Sequence, residues 1–387
     1  MVFNFYRPVE VFFGKGAIEK TGEVARRYGF KALIVTGKES AKRSGALERV
    51  IKSLNAHGIQ EYILYNEVIP NPTDKVVNEG ADLAVKERVD FIIGLGGGSA
   101  LDTAKAISIV SSNEGSVWDY VKYPEGARLV PYLSRPVICI PTTAGTGSEV
   151  DKYSVVTNSI RKEKLVISHS LNYPKVALID PELTMTMSPE LTAITGFDAL
   201  THALESLTNR AENFMAEECS VKAIELIAKW LPVAVEEPEN YTAREKLSYA
   251  SMLAGVAIDH LGVALIHAME HPVSAHYPQV AHGLGLAILS PYITKFNYKG
   301  NPEKYALFAK LMGYEEKPEF AVDALVNFLE KIGLLKTLKD VGVEEDMLER
   351  LTEDVYMLAR HSFLINPVEP SLDDVRRLYE EAYRGDI

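Results

Sequence analysis

Cysteine is scarce in this 387-residue chain, and its two copies, Cys139 and Cys219, cannot build a disulfide framework. Two buried thiols acting as small hydrophobes suit a reducing compartment. Long apolar runs are missing too: nothing approaches the roughly 18–20 residues of a membrane span. The opening MVFNFYRPVEVFFG carries Arg7 and Glu10 within its apolar residues, so it reads as a strand and not as a signal peptide. Excess positive charge is also lacking, with 41 basic against 53 acidic residues and a formal net charge of -12. No basic stripe for nucleic acid is present, and the cluster at Lys42 and Arg43 is too small for a duplex. Internal repeats and low-complexity tracts are absent. The expectation is a cytoplasmic protein with no nucleic-acid or membrane partner.

What is present divides the chain in two. Strand and helix patterns alternate through the first half: FKALIVTG (30–37), EYILYNEV (61–68), DFIIGLGGGS (90–99) and RPVICIPTT (135–143) read as strands. Helical spacing follows the first through Leu47, Val50, Ile51 and Leu54. After the Pro70-Asn71-Pro72 turn, Thr73 or Asp74 can cap a helix to about Arg88, and another helix runs from Ala100 to Val110. This alternation predicts a parallel α/β sheet covered on both faces. After VALIDPEL (176–183) the strand pattern stops, and nearly everything reads as helix, with breaks at Pro232, Pro238, Pro272, Pro291 and Pro367. The predicted domains are an α/β unit, 1–185, and an all-α unit, 186–387.

Two turns in the α/β half carry phosphate-binding chemistry. GLGGGSALDTAK (94–105) sets three consecutive glycines between a strand and a helix. Backbone amides there can approach a pyrophosphate without Cβ interference, at a helix N-terminus of partial positive charge. The usual G-x-G-x-x-G fingerprint fails, since position 99 is Ser. The second turn, IPTTAGTGSEV (140–150), offers the Thr142, Thr143, Thr146 and Ser148 hydroxyls. Both follow strand C-terminal ends, where ligands of open α/β sheets bind.

The helical half concentrates histidine. Six of nine histidines fall between His202 and His282. Asp198 and His202 stand four apart in GFDALTHALE, His267 and His271 four apart in LIHAMEHPVSAHYPQVAHG, and His282 closes the run. An i,i+4 pair projects from one helix face with Cβ atoms ~5–6 Å apart, close enough to share an ion. Asp198 sits in an apolar window, where an unpaired carboxylate is costly and a cation would resolve the cost. Carboxylate plus imidazole, without thiolate, leans toward Fe(II), Zn(II), Mn(II) or Co(II). A polar network between helices is the competing reading.

Taken together, the motifs resemble the iron-containing (group III) alcohol dehydrogenases along essentially the full chain. VFFGKGA, GLGGGSALDTAKA, IPTTAGTGSEV, VALIDPELT, GFDALTHALE and HAMEHPVSAHYPQVAHG occur in family order. The resemblance implies a dehydroquinate synthase-like architecture, with an N-terminal dinucleotide-binding α/β domain, a helical C-terminal domain, and a metal and substrate cleft between them. It implies Asp198, His202, His267 and His282 as ligands of Fe(2+), with Zn(2+) as the alternative, and His271 as a proton relay. Gly97, Gly98, Ser99 and Asp102 match the first coenzyme turn. Thr142, Thr143 and Ser148 match the second, and Lys164 matches a ribose-contacting lysine.

Three departures stand out. Family members using NAD commonly carry an Asp after the opening strand, whereas this chain has Gly37 in LIVTGKES. Gly37 leaves room for a 2′-phosphate that Lys38, Ser40, Lys42 or Arg43 could meet, which predicts NADP(H), with NAD as the alternative. The stretch from His271 to His282 is one residue longer than the family spacing, which makes His276 a substitute candidate for His282. Asp151 follows GSEV, in a region that shapes the nicotinamide and substrate pocket. The expected activity is hydride transfer between a primary alcohol/aldehyde pair and NADP(H), by a chain for which a homodimer is one assembly. The competing functions are an NAD(H)-linked glycerol or diol dehydrogenase and a catalytically silent metal- or nucleotide-binding protein.

Overall fold

The computed structural model describes residues 2–387. Two compact units divide it: Tyr6–Thr186, and Met187–Ile387 joined by residues 2–5. The opening residues therefore group with the helices, and only Glu10–Phe13 of the expected N-terminal strand is extended in a sheet.

The α/β unit has eight strands: β1 (Glu10–Phe13), β2 (Lys31–Gly37), β3 (Glu61–Val68), β4 (Phe91–Gly96), β5 (Val137–Pro141), β6 (Tyr153–Thr157), β7 (Lys164–Ser168) and β8 (Val176–Ile179). Six form one sheet in the order β1-β8-β5-β4-β2-β3, and every neighbouring pair is parallel. β4, FIIGLG, is buried at every position, as a central parallel strand covered on both faces must be. Its odd residues Phe91, Ile93 and Leu95 pack with Ala32 and Ile34 of β2 against Val50 and Leu54 of helix α1 (Ala46–Ala56). The opposite face carries helix α2 (Asp74–Lys86), capped by the Thr73 hydroxyl, and helix α3 (Gly98–Val110). A Cβ at Gly94 would stand 2.9 Å from the Ala104 Cβ, so the missing side chain lets α3 settle on the sheet.

β6 and β7 form a separate antiparallel hairpin that sequence reading passes over. Each is five residues long and partly buried, too short for a clear period-2 signal.

The second unit contains, among other helices, α4 (Pro189–Thr208), α5 (Phe214–Glu236), α6 (Tyr241–Leu261), α7 (Leu265–His276), α8 (His282–Asn297), α9 (Leu348–Leu358) and α10 (Leu372–Arg384). Pro238 and Pro367 lie outside helices, but Pro232, Pro272 and Pro291 do not break theirs: they sit inside α5, α7 and α8. An interior proline costs about 3 kcal/mol through its lost N–H and ring clash. All three are buried, and burial of the surrounding apolar faces offsets that local cost. The sharp break comes instead at Gly262, with φ of 76°, where α6 and α7 meet at 105°. Among the described residues no single helix is long and apolar enough to cross a membrane.

α8 approaches α4 through Gly283, where a Cβ would fall 2.1 Å from the Ile194 carbonyl oxygen. That neighbour is backbone and cannot rotate away. Gly283→Ala should therefore separate the helices and destabilise the unit by about 1–3 kcal/mol in denaturant unfolding, and unchanged stability would refute the contact.

Candidate metal centre and coenzyme turns

Helix α4 presents Asp198, His202 and Glu205 from successive turns of one buried face. α7 contributes His267 and Glu270, and α8 begins at His282. Three imidazole nitrogens converge on one carboxylate oxygen: the Nε2 atoms of His202, His267 and His282 lie 3.5, 3.8 and 3.8 Å from Asp198 Oδ1. These separations are too long for hydrogen bonds. Asp198 Oδ1 and His267 Nε2 are accordingly buried without a hydrogen-bond partner. Native interiors rarely tolerate such orphans, and a cation among them would satisfy both. One carboxylate oxygen and three imidazole nitrogens make a donor set suited to a divalent transition metal.

The Nδ1 side of the rings is organised as well. Glu205 Oε2 lies 2.6 Å from His267 Nδ1, while Glu205 Oε1 accepts the Ile266 amide at 2.6 Å. One carboxylate thus ties the first turn of α7 to the imidazole that α7 carries. Glu270 pairs with His282 Nδ1 in the same way. A carboxylate at Nδ1 holds the proton there and leaves the Nε2 lone pair for an ion. Sequence reading missed both glutamates. Their signal was a charged residue in an apolar helical window, three after His202 and three after His267.

Charge follows geometry. Burial would raise the Asp198 carboxyl, but the imidazoles of His202, His267 and His282 outweigh it and hold the group well below the usual carboxylate range. Burial would lower His267, but the carboxylates of Glu205 and Asp198 push it up to about 9. Three buried carboxylates, Asp198, Glu205 and Glu270, demand positive charge, which either protons or a divalent ion can supply.

The remaining histidines separate. His271 is half-buried, its ring centroid 5.7 Å from that of His282 and 6.4 Å from that of His267. Ligand atoms of Glu270, His271 and His282 fall within 4.8 Å of one another, as do those of Asp198, His267 and His282. His276, the substitute candidate for His282, is engaged elsewhere: its Nε2 lies 2.8 Å from Asp354, which Arg350 also holds. Phe197 and Leu261, apolar residues near these groups in sequence, are buried in the core. Neither Cys139 nor Cys219 forms a disulfide; Cys139 is buried as expected, whereas Cys219 is only half-buried.

In the α/β unit, the expected coenzyme residues other than Lys164 lie at or after the C-terminal ends of adjacent parallel strands. Gly37 ends β2, which pairs with β4, and β4 pairs with β5. Lys38 and Ser40 follow Gly37, and Lys38 Nζ reaches Glu67 at 3.6 Å on the exposed surface. The two turns interlock: Cβ atoms at Gly97 and Gly98 would stand 3.3 Å from Thr143 and 2.3 Å from Thr146 side-chain atoms. The Thr142 amide donates to Gly96 O at 2.9 Å. Ser99 lies in the first turn of α3, and Lys164 is buried on β7. The Ser148 hydroxyl donates to Asp102, so these two shape the turns internally.

Comparison with known proteins agrees with this geometry. Residues 8–181 match the family profile of iron-containing alcohol dehydrogenases, and residues 192–383 match the C-terminal domain of the same family. The chain belongs to the iron-containing alcohol dehydrogenase family. It is 34% identical to 1,3-propanediol dehydrogenase of Citrobacter freundii over 99% of either chain. It is 32% identical to the NAD-dependent methanol dehydrogenase of Bacillus methanolicus, over 98% of this chain and 99% of that one. Among solved structures, an archaeal halo-thermophilic Red Sea brine pool alcohol dehydrogenase superposes with a TM-score of 0.94, 35% identity and 99% coverage of each. As a family member this dehydrogenase is an oxidoreductase acting on alcohols, with iron and a nicotinamide coenzyme.

Two tests follow. Glu205→Ala should lower metal affinity by about 10–100-fold, measured by competition with a chromophoric chelator, and undiminished affinity would remove Glu205 from the centre. In chelator-treated protein, protonated His267 stabilises the fold fully below its ordinary value of 6.5, and that contribution disappears as pH rises through about 9. The denaturant midpoint of metal-free protein should therefore fall between pH about 6 and about 9.5, and a midpoint that climbs over this interval contradicts the pairing.

Proposed function

We propose that the chain catalyses reversible hydride transfer between a primary alcohol/aldehyde pair and NADP(H). The observation that carries the reading is the convergence of the three Nε2 atoms on the orphaned Asp198 oxygen. Asp198, His202, His267 and His282 would hold Fe(2+), and Zn(2+) suits the same donors because the reaction needs no change of metal redox state. Bound there, the ion supplies Lewis acidity toward the substrate oxygen, and the coenzyme supplies or accepts the hydride.

The chain's own residues do the rest. Glu205 and Glu270 keep His267 and His282 in one tautomer and one orientation. His271, half-buried beside that set, would pass the alcohol proton toward solvent. In the α/β unit, the glycine turns would bind the pyrophosphate with backbone amides at the N-terminus of α3.

The NADP(H) preference rests on Gly37. Its φ is not in the left-handed region. A Cβ there would meet Ser40 Oγ at 3.6 Å and Val68 O at 3.8 Å, which are ordinary contacts. Neither backbone nor packing requires glycine, so the missing side chain is free to serve the ligand. An Asp carboxylate at that strand end would repel a 2′-phosphate, whereas Gly37 with Lys38, Ser40, Lys42 and Arg43 admits one. The substrate is a small alcohol or aldehyde. A diol remains the second reading, favoured by the likeness to 1,3-propanediol dehydrogenase.

Measured kcat/KM should favour NADPH over NADH, and Gly37→Asp should move the ratio toward NADH by about tenfold or more, roughly the strength of one charge-assisted contact. A wild-type preference for NADH of about tenfold would sink the assignment. Replacing His271 by Ala should lower turnover while metal content stays stoichiometric, and loss of the metal would make His271 a ligand instead. A panel of simple aldehydes and diols separates the two substrate readings.

A further inference from the structure

Lys105 is fully buried in the middle of α3, and sequence reading passed over it. Its ammonium donates to the Ser148 carbonyl at 2.9 Å and to Asp151 Oδ1 at 2.8 Å, and it lies 3.7 Å from Asp102 Oδ1. Asp102 in turn accepts the Ser148 hydroxyl and, at 3.0 Å, the Val155 amide. Asp151 also accepts the Tyr153 amide at 2.8 Å. A single cation therefore joins three segments: the helix that follows the first glycine turn, the end of the second turn, and the start of the β6–β7 hairpin. Glu149 of the second turn, Cys139 of β5 and Lys164 of β7 complete its charged and titratable surroundings.

Fold stability alone does not call for this arrangement. The other buried positions around it on α3 are uncharged: Ala104, Ala106 and Ile107 are apolar, and Thr103 and Ser108 carry only hydroxyls. A buried ion pair seldom stabilises more than apolar packing of the same volume. What a buried ammonium does supply is direction, because its N–H groups fix acceptors at set distances. The acceptors here stand on the helix after the first turn, at the end of the second turn and just before the hairpin, and the two turns pack together at Gly97–Thr143 and Gly98–Thr146. A shift of a few tenths of an ångström between those turns would change where their amides point.

We propose that Lys105 is a positioning residue for the coenzyme, locking the two turns and the hairpin into one cradle through Ser148, Asp151 and Asp102. This rests on the reading that the turns bind a nicotinamide coenzyme. Lys105 acts through its three partners and touches no reacting atom. Asp102 and Ser148, matched to the coenzyme by motif, engage each other through the Ser148 hydroxyl, and Asp102 also accepts the Val155 amide, so both hold shape.

The test compares metal-loaded, full-length wild type with Lys105→Met and with Lys105→Met/Asp151→Asn. The readouts are NADPH Kd by nicotinamide fluorescence, KM for coenzyme and for aldehyde, bound metal and thermal midpoint. Lys105→Met should raise the NADPH Kd and coenzyme KM by about tenfold or more, with the aldehyde KM within about twofold of wild type. Bound metal should not change, since its ligands lie in the other unit. The double variant removes the Asp151 carboxylate that faced the lost ammonium, so its thermal midpoint should recover in part while the Kd stays raised, because Ser148 O still lacks the Lys105 donor. Should Lys105→Met fail to fold, the double variant carries the comparison. An NADPH Kd within about twofold of wild type, or recovery of Kd together with midpoint, overturns the positioning role. Wild-type protein that binds neither NADPH nor NADH overturns the coenzyme reading and this inference with it.

Discussion

One buried carboxylate sets the terms for the helical unit. Asp198 lies in the apolar interior of α4 with Oδ1 lacking any hydrogen-bond partner, and three imidazole edges face it. An ionised oxygen in that position is tolerable only if positive charge stands beside it. α4, α7 and α8 are therefore held in a geometry whose meaning lies in the space between their side chains. Glu205 and Glu270 add the second layer, holding Nδ1 of His267 and of His282 so that each Nε2 faces Asp198. Gly283 permits the approach of α8 to α4 that brings His282 within reach.

The α/β unit solves a different problem with the same economy of contacts. Its parallel sheet brings the ends of β2, β4 and β5 side by side, so glycine turns far apart in sequence become one surface. There the constraint is steric at Gly97 and Gly98 and electrostatic at Lys105. Membership of the iron-containing alcohol dehydrogenases gives both units a common purpose, since alcohol oxidation needs a hydride acceptor as well as the metal.

Legibility in the sequence tracked the range of the interaction. β3 was readable to the residue because its pattern and its Pro-Asn-Pro boundary are local. The pairing of Asp198 with His202 on α4 and of His267 with His271 on α7 was readable because an i,i+4 spacing is a local statement about a helix face. The β6–β7 hairpin was not, since its strands are short and their partners are each other. Prolines 232, 272 and 291 misled for the opposite reason: a local penalty is decisive only where packing does not outweigh it.

By itself the sequence determined the two-unit organisation into an α/β half and a helical half, the glycine turns and the cluster of Asp198 with its histidines. These follow from periodicity, glycine's missing Cβ and the cost of an isolated charge. Only the tertiary structure decided that His276 belongs to Asp354, that Glu205 and Glu270 hold the His267 and His282 rings, and that Lys105 reaches Ser148 beside the joined turns. Each of those depends on partners 12 to 78 positions away. No local pattern encodes such a meeting, because it is the packing of whole elements that brings the two groups together.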